Sequence, residues 1–110
     1  MNKEKLEQIA GSVADKAKHD NESFSIDPFT IMAICNCIIS IVKLLYMCYS
    51  KESMYSAITK KDKGVFQNFL LKREIRKHFR NKDDRKAIYG AVIEVSSGLS
   101  KEDINTLLED

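Results

Sequence analysis

The chain has 110 residues, of which 44% are hydrophobic and 31% are charged, and its formal net charge is +2. This length corresponds to a single domain, and the composition is that of a globular protein rather than a disordered or fibrous one. The charge is unevenly placed, with four Lys against six acids in residues 1–27 and thirteen basic residues against ten acids in residues 51–110. A net charge this small indicates no particular class of partner.

The sequence contains no pattern that is typical of catalysis or of metal binding. The only two histidines, His19 and His78, have no Cys, Asp or Glu at a recognised metal-ligand spacing. The four glycines are scattered, so they form no phosphate-binding loop. We therefore expect a protein that is not an enzyme and that has no catalytic, cofactor-binding or metal site.

Residues 3–18 form the first predicted helix. Leu, Ile, Val and Ala recur there at three- and four-residue spacing, with Lys and Glu elsewhere. The resulting apolar stripe is thin, which predicts a helix that docks on a neighbour but supplies little core of its own. Residues 19–25 form a polar linker, and the N-terminal region lacks the apolar segment of a secretory signal.

The stretch from Phe29 to Ser50 has the highest apolar density in the chain. Asp27 is a good N-cap, and Pro28 fits the first helical position because that position needs no N–H donor. With no further Pro or Gly up to Ser50, the pattern predicts one long helix over about residues 28–50. Its length of roughly 34 Å would suffice to cross a membrane.

A narrow polar seam interrupts this apolar helix. Asn36, Ser40 and Lys43 fall on one side of it. A lysine inside a membrane span costs roughly 2.5–3.5 kcal/mol, so we favour a helix buried in a bundle or oligomer over one surrounded by lipid. The three cysteines all lie in this helix and are unsuitably spaced for pairing with one another, which indicates reduced thiols.

The second half of the chain predicts several short amphipathic helices. Residues 51–61 either continue the long helix or restart after Ser50, and the sequence leaves both possibilities open. A helix over Val65–Arg80 follows a polar break, and its apolar residues are expected on one broad side. These residues are Val65, Phe69, Leu71, Ile75 and Phe79.

The last two predicted helices have clear capping residues at their ends. Asp83 or Asp84 is the expected cap of a helix that runs to about Ser97, and Gly98 is expected to end it in a left-handed conformation. Ser100 with Asp103 predicts a capping box for the final helix. Since no strand alternation is visible, the predicted fold is all-α, a single helical domain built around the long apolar helix.

Basic residues cluster at the end of the helix that begins at Val65. A basic patch of this kind binds nucleic-acid phosphates, an acidic protein or lipid headgroups, or it is simply the solvated face of a helix. The candidate residues are Lys72, Arg73, Arg76, Lys77 and Arg80.

Two segments resemble small proteins encoded by large tailed bacteriophages. The segment Ile26–Cys48 is similar to their Ile-Asp-Pro opening followed by a β-branched helix that ends near a cysteine, and Gly98-Leu99-Ser100 matches their capped closing helix. Some of those proteins are particle components. The resemblance implies a virion or assembly protein and no catalytic residue.

Together these features predict a non-enzymatic structural or assembly protein of a phage particle, located in the virion or the host cytoplasm. We expect it to oligomerise, or to dock on another structural protein, through its apolar helix. A single-span membrane protein with a basic cytoplasmic domain and a small nucleic-acid-binding module are the alternatives. The predicted interface residues are Phe29, Ile31, Ile34, Ile38, Ile41, Val42, Leu45 and Tyr49.

Overall fold

The computed structural model describes residues 1–109, and in that range it contains six α-helices and no β-strand. The all-α class predicted from the sequence is confirmed. The helices are α1 (Lys3–Asp20), α2 (Pro28–Cys48), α3 (Lys51–Thr59), α4 (Val65–His78), α5 (Lys82–Ser97) and α6 (Lys101–Leu108).

The long apolar helix α2 begins where the sequence predicts and ends two residues early. The side chain of Asp27 accepts a hydrogen bond from the backbone N–H of Thr30 at 2.8 Å, and Pro28 occupies the first turn. At the other end, Tyr49 is extended with φ −132°, and Ser50 caps α3 by accepting from the N–H of Ser53. The chain therefore breaks at Tyr49–Ser50, and α3 is a separate helix.

Three details of the later helices differ from the prediction. The N-cap of α5 is Asn81 rather than an aspartate, because its side-chain oxygen reaches the N–H of Asp84 at 3.0 Å. Gly98 is right-handed, with φ −90°, because its N–H bonds to Val95 O and tightens the last turn without a left-handed residue. Helix α4 ends at His78 rather than Arg80.

The first of two hydrophobic cores joins α1, α2, α4 and α5. Ile34 and Cys37 of α2 are fully buried there, together with Ile75 of α4 and Ile88 of α5. Phe24, from the linker before α2, is also buried, and its ring centroid lies 6.4 Å from that of Phe79. Phe24 thus anchors an otherwise largely exposed linker in the first core.

The second core lies toward the opposite end of α2. It combines Val42 and Leu45 of α2 with residues of α1, α3 and α6. Its other buried members are Leu6, Ile9, Met54, Ala57, Ile58, Ile104 and Leu107. Helix α2 therefore contributes to both cores.

Helix α1 contributes to both cores as well, which the sequence prediction underestimated. All six residues of its apolar stripe are buried, and α1 packs on α2, α5 and α6. Alanines dominate where α1 meets α5, and small side chains allow two helices to approach closely. A stripe that is thin in sequence is therefore wide enough to form the centre of the bundle.

The two ends of the chain are joined to each other. The backbone N–H of Asn2 donates to Leu107 O at 2.9 Å, and Lys5 Nζ lies 2.8 Å from an Asp103 carboxylate oxygen. Asp103 also closes the predicted capping box with Ser100, which is confirmed. Helix α6 is thereby fixed against α1.

Candidate docking surface

Helices α2 and α4 lie side by side and run in opposite directions. Cys37 Sγ donates to Glu74 O at 3.7 Å, and Gln67 Nε2 donates to Tyr49 Oη at 2.8 Å. The C-terminal end of α2 therefore lies near the N-terminal end of α4. Both helices contribute buried residues to the first core, and we call their exposed sides together the outward α2–α4 face.

The outward α2–α4 face carries an unusual number of large exposed apolar side chains. In α4, Val65 is 89% exposed, Phe66 60% and Phe69 59%. In α2, Phe29 and Met47 are 83% and 82% exposed, and Met32 and Tyr46 are also exposed. Apolar side chains exposed in this number on two neighbouring helices favour an interaction surface, whereas single exposed apolar residues are common on any protein.

The charged residues of this face are all basic. Helix α2 contains no Asp or Glu, and Lys43 lies exposed on it. The only acid of α4, Glu74, is buried, with Lys77 Nζ at 3.2 Å and Arg73 Nη2 at 3.6 Å from its Oε1. The basic members of the face are Lys43, Lys72, Arg73, Arg76 and Lys77.

The basic patch predicted from the sequence is only partly free to bind a partner. Arg73 and Lys77 share the Glu74 carboxylate, and Lys72 Nζ lies 5.2 Å from the centre of the Tyr89 ring. Arg76 and Arg80 are exposed, with no ion pair among residues 1–109. The patch therefore keeps a positive potential but has few unengaged side chains.

Most of the predicted interface residues lie inside the chain's own bundle. Ile34, Val42 and Leu45 are buried core residues rather than surface residues, because Ile34 lies in the first core and Val42 and Leu45 lie in the second. Three more are partly buried against the cores, namely Ile31, Ile38 and Ile41. Only Phe29 and Tyr49 of that set are exposed.

The sequence prediction missed the contribution of α4 to the surface. Val65 and Phe69 were expected on the core side with Leu71 and Ile75, and this is wrong. A helix turns by about 100° per residue, so Phe69 lies about 160° around α4 from Leu71. A helical-wheel projection of the sequence therefore puts the two residues on different sides. The presence of apolar residues on two opposite sides of α4 was the signal in the sequence that one apolar side would be exposed.

Helix α2 is the one described helix that is long and apolar enough to cross a membrane. This result follows from length and composition only, and the central helix of a soluble bundle gives the same result. In the fold, Ile34, Cys37, Val42 and Leu45 of this helix pack against other helices of the chain. Drawing α2 into a bilayer would leave both cores without these residues.

The three cysteines of α2 differ in their surroundings. Burial raises the pKa of the Cys37 thiol to about 12, with a further contribution from the Glu74 charge, and burial also raises the pKa of Cys35. Cys48 is exposed at the end of the helix. Because the thiolate is the reactive form, Cys37 and Cys35 are not activated nucleophiles.

A small apolar cavity lies between the two cores. Its volume is about 80 Å³, and aliphatic side chains such as Ile38, Ile41 and Val92 line it. An engineered apolar cavity that binds benzene measures about 150 Å³, so this one is a packing gap rather than a ligand site. Lys63 lies at its edge, with its Nζ bonded to the backbone oxygens of Ala57, Ile58 and Lys60.

Comparisons of this chain with protein-family models, curated proteins and solved structures found no match. Among residues 1–109, no group of three or more His, Cys, Asp or Glu side chains is placed to hold a metal ion.

Proposed function

We propose that the protein is a non-enzymatic structural or assembly protein that docks on a partner through the outward α2–α4 face. The observation that carries this proposal is the exposure of Val65, Phe66 and Phe69 on α4 together with that of Tyr46 and Met47 on the neighbouring α2. Leaving these side chains in water costs about 25 cal/mol per Å² of apolar surface, and a partner that covers them recovers that free energy. The two cores hold the face in a fixed shape.

A phage particle is the proposed setting of this assembly role. The support is the resemblance of Ile26–Cys48 and Gly98–Ser100 to small proteins of large tailed bacteriophages, some of which are particle components. The helix caps that carry the resemblance are present in the fold at Asp27 and Ser100. The docking proposal itself rests on the exposed residues and does not depend on this setting.

Site-specific photo-crosslinking tests the docking proposal. p-Benzoylphenylalanine replaces Phe66, which it resembles in shape, or Asn105, which is exposed on α6. The variants are illuminated in cells that express the chain. We expect a defined adduct from position 66 and none from position 105, because Asn105 is exposed on α6 and is not part of the outward α2–α4 face.

A second substitution in the crosslinking variant tests whether the adduct depends on the apolar side chains of the outward α2–α4 face. Adding Phe69→Ser should abolish the adduct at position 66, whereas adding Lys101→Gln, on α6, should leave it unchanged. Equal labelling at positions 66 and 105 would show that the outward α2–α4 face docks on nothing. The mass of the adduct also distinguishes a second 12.6 kDa copy from another protein or a lipid.

A further inference from the structure

The chemistry of the outward α2–α4 face restricts its counterpart. The face exposes no acid within α2 or α4, since α2 has none and Glu74 is buried. The nearest acids in sequence, Asp27 and Asp62, lie just before the first turns of the two helices. Packing this face against the same face of a second copy would oppose Lys43, Arg76 and their neighbours with like charges. A partner with a negatively charged surface would complement the basic residues of this face.

The apolar side chains of the face indicate which anionic counterpart fits. Nucleic-acid surfaces combine basic residues with aromatic rings that stack on bases. The outward α2–α4 face has rings at Phe29, Tyr46, Phe66 and Phe69. It also exposes Val65 and Met47, at 89% and 82%, which have no ring to stack on a base. Aliphatic and aromatic side chains beside lysine and arginine are instead the combination that enters the headgroup and acyl boundary of a bilayer.

The shape of the protein agrees with a flat surface. Its smallest extent is 21 Å, about two helix diameters, and its longest is 38 Å. Helices α2 and α4 pack side by side along part of this body, and both expose large apolar side chains to solvent. The separate exposed knobs Phe29, Met47 and Val65 fit a fluid lipid surface, which needs no preformed pockets to receive them.

We infer that the outward α2–α4 face binds the surface of a bilayer that contains anionic lipids. Helix α2 then lies along the membrane plane and keeps its core contacts, instead of crossing the bilayer. Phe66, Phe69 and Met47 enter the interface, and Lys43 and Arg76 contact lipid phosphates. This inference rests on the proposed docking function and names the partner of the same surface.

Vesicle flotation tests the charge requirement. The probes are vesicles of pure phosphatidylcholine and vesicles in which about one third is phosphatidylglycerol. We expect binding to the anionic vesicles only, weakened by added salt. Lys43→Gln with Arg76→Gln should weaken partition about 30-fold, since each basic residue near an anionic surface contributes about fivefold, or about 1 kcal/mol. Lys3→Gln with Lys101→Gln removes the same charge elsewhere and should leave binding nearly unchanged.

Apolar insertion is tested separately. Phe66→Ser with Phe69→Ser should weaken partition at least about tenfold at constant charge. The chain contains no tryptophan, so Phe66→Trp provides a single fluorescent reporter. Its emission should shift to shorter wavelength on anionic vesicles and be quenched by brominated acyl chains. Asn105→Trp on α6 should show neither effect.

The outcomes separate the two proposals. A face-dependent crosslink to a protein or a second copy, without vesicle binding, would overturn the lipid inference and leave the docking function standing. Salt-sensitive binding of a DNA or RNA oligonucleotide without vesicle binding would also overturn it. If position 66 yields no adduct and the vesicles bind nothing, both proposals fail.

Discussion

The carboxylate of Glu74 is the one buried charged group among residues 1–109. A buried carboxylate is costly unless it is paired, and Lys77 and Arg73 supply the pairing from the adjacent surface. Its burial also removes the only acid of α4 from the exposed side. A single residue thus anchors two basic side chains and leaves the outward α2–α4 face with basic groups alone.

The reactivity of the thiols of α2 depends on which side of the helix faces the core. We expect Cys48 to react quickly with a thiol reagent in the native protein and Cys37 to react only on unfolding. Cys37 is buried, and a pKa of about 12 leaves about 10⁻⁴ of it as thiolate at pH 8. Reaction kinetics with and without denaturant measure this, and Cys48→Ser should remove the fast phase. Fast native labelling of Cys37 would contradict the assigned core side of α2.

The helices themselves were largely predictable, because helix ends depend on neighbours a few residues away. Asp27, Ser50 and Ser100 cap α2, α3 and α6 through bonds to the N–H groups three residues later. The choice among neighbouring caps was less predictable. Asn81 outcompetes Asp83 and Asp84 at α5, and the two aspartates lie in its first turn, where acids favour the helix dipole.

Paired substitutions distinguish the two sides of α2. Ile34→Ala should lower the free energy of unfolding by about 2–5 kcal/mol, because it opens a cavity in the first core. Met32→Ala, on the exposed side two residues away, should change it by less than about 0.5 kcal/mol. Urea denaturation measures both, and Ile34→Val provides a milder variant if the alanine protein does not fold. Equal losses at positions 32 and 34 would show that α2 is not oriented as described.

At the scale of the whole molecule, two hydrophobic cores share α1 and α2, and the ends of the chain close against each other. Lys5 and Asp103 are 98 positions apart in sequence and bond at 2.8 Å. The hydrogen bond from Lys5, together with those from Ser100, lowers the pKa of Asp103 to about 2 from an ordinary value of 3.8. This junction links α1 to α6.

The junction predicts a defined dependence of stability on pH. A carboxyl whose pKa is lower in the folded state stabilises the protein fully above its unfolded pKa, and this contribution is lost as pH falls through the folded pKa. For Asp103 the loss falls between about pH 4 and pH 2. Asp103→Asn should therefore be less stable than the wild type at pH 7, and the difference should shrink across that range. Denaturation midpoints at several pH values measure it.

Asp62→Asn is the matched control for this pH dependence, because Asp62 is exposed and has no ion pair among residues 1–109. Its denaturation midpoint should equal that of the wild type at every pH. A difference between Asp103→Asn and the wild type that persists unchanged at pH 2 would contradict the assigned role of the Lys5–Asp103 pair.

The sequence by itself determined the helical class, the approximate helix segments and most of their caps, because these depend on spacing and on hydrogen bonds within one turn. Only the tertiary structure decided which apolar residues are core and which are surface. Ile34 and Leu45 are covered by other helices, whereas Phe66 and Phe69 are left exposed, although all four are equally apolar in sequence. The thin alanine stripe of α1 likewise became central only because α5 packs closely on it. Burial is a property of distant segments brought together, so local periodicity marks apolar sides without saying which of them the fold covers.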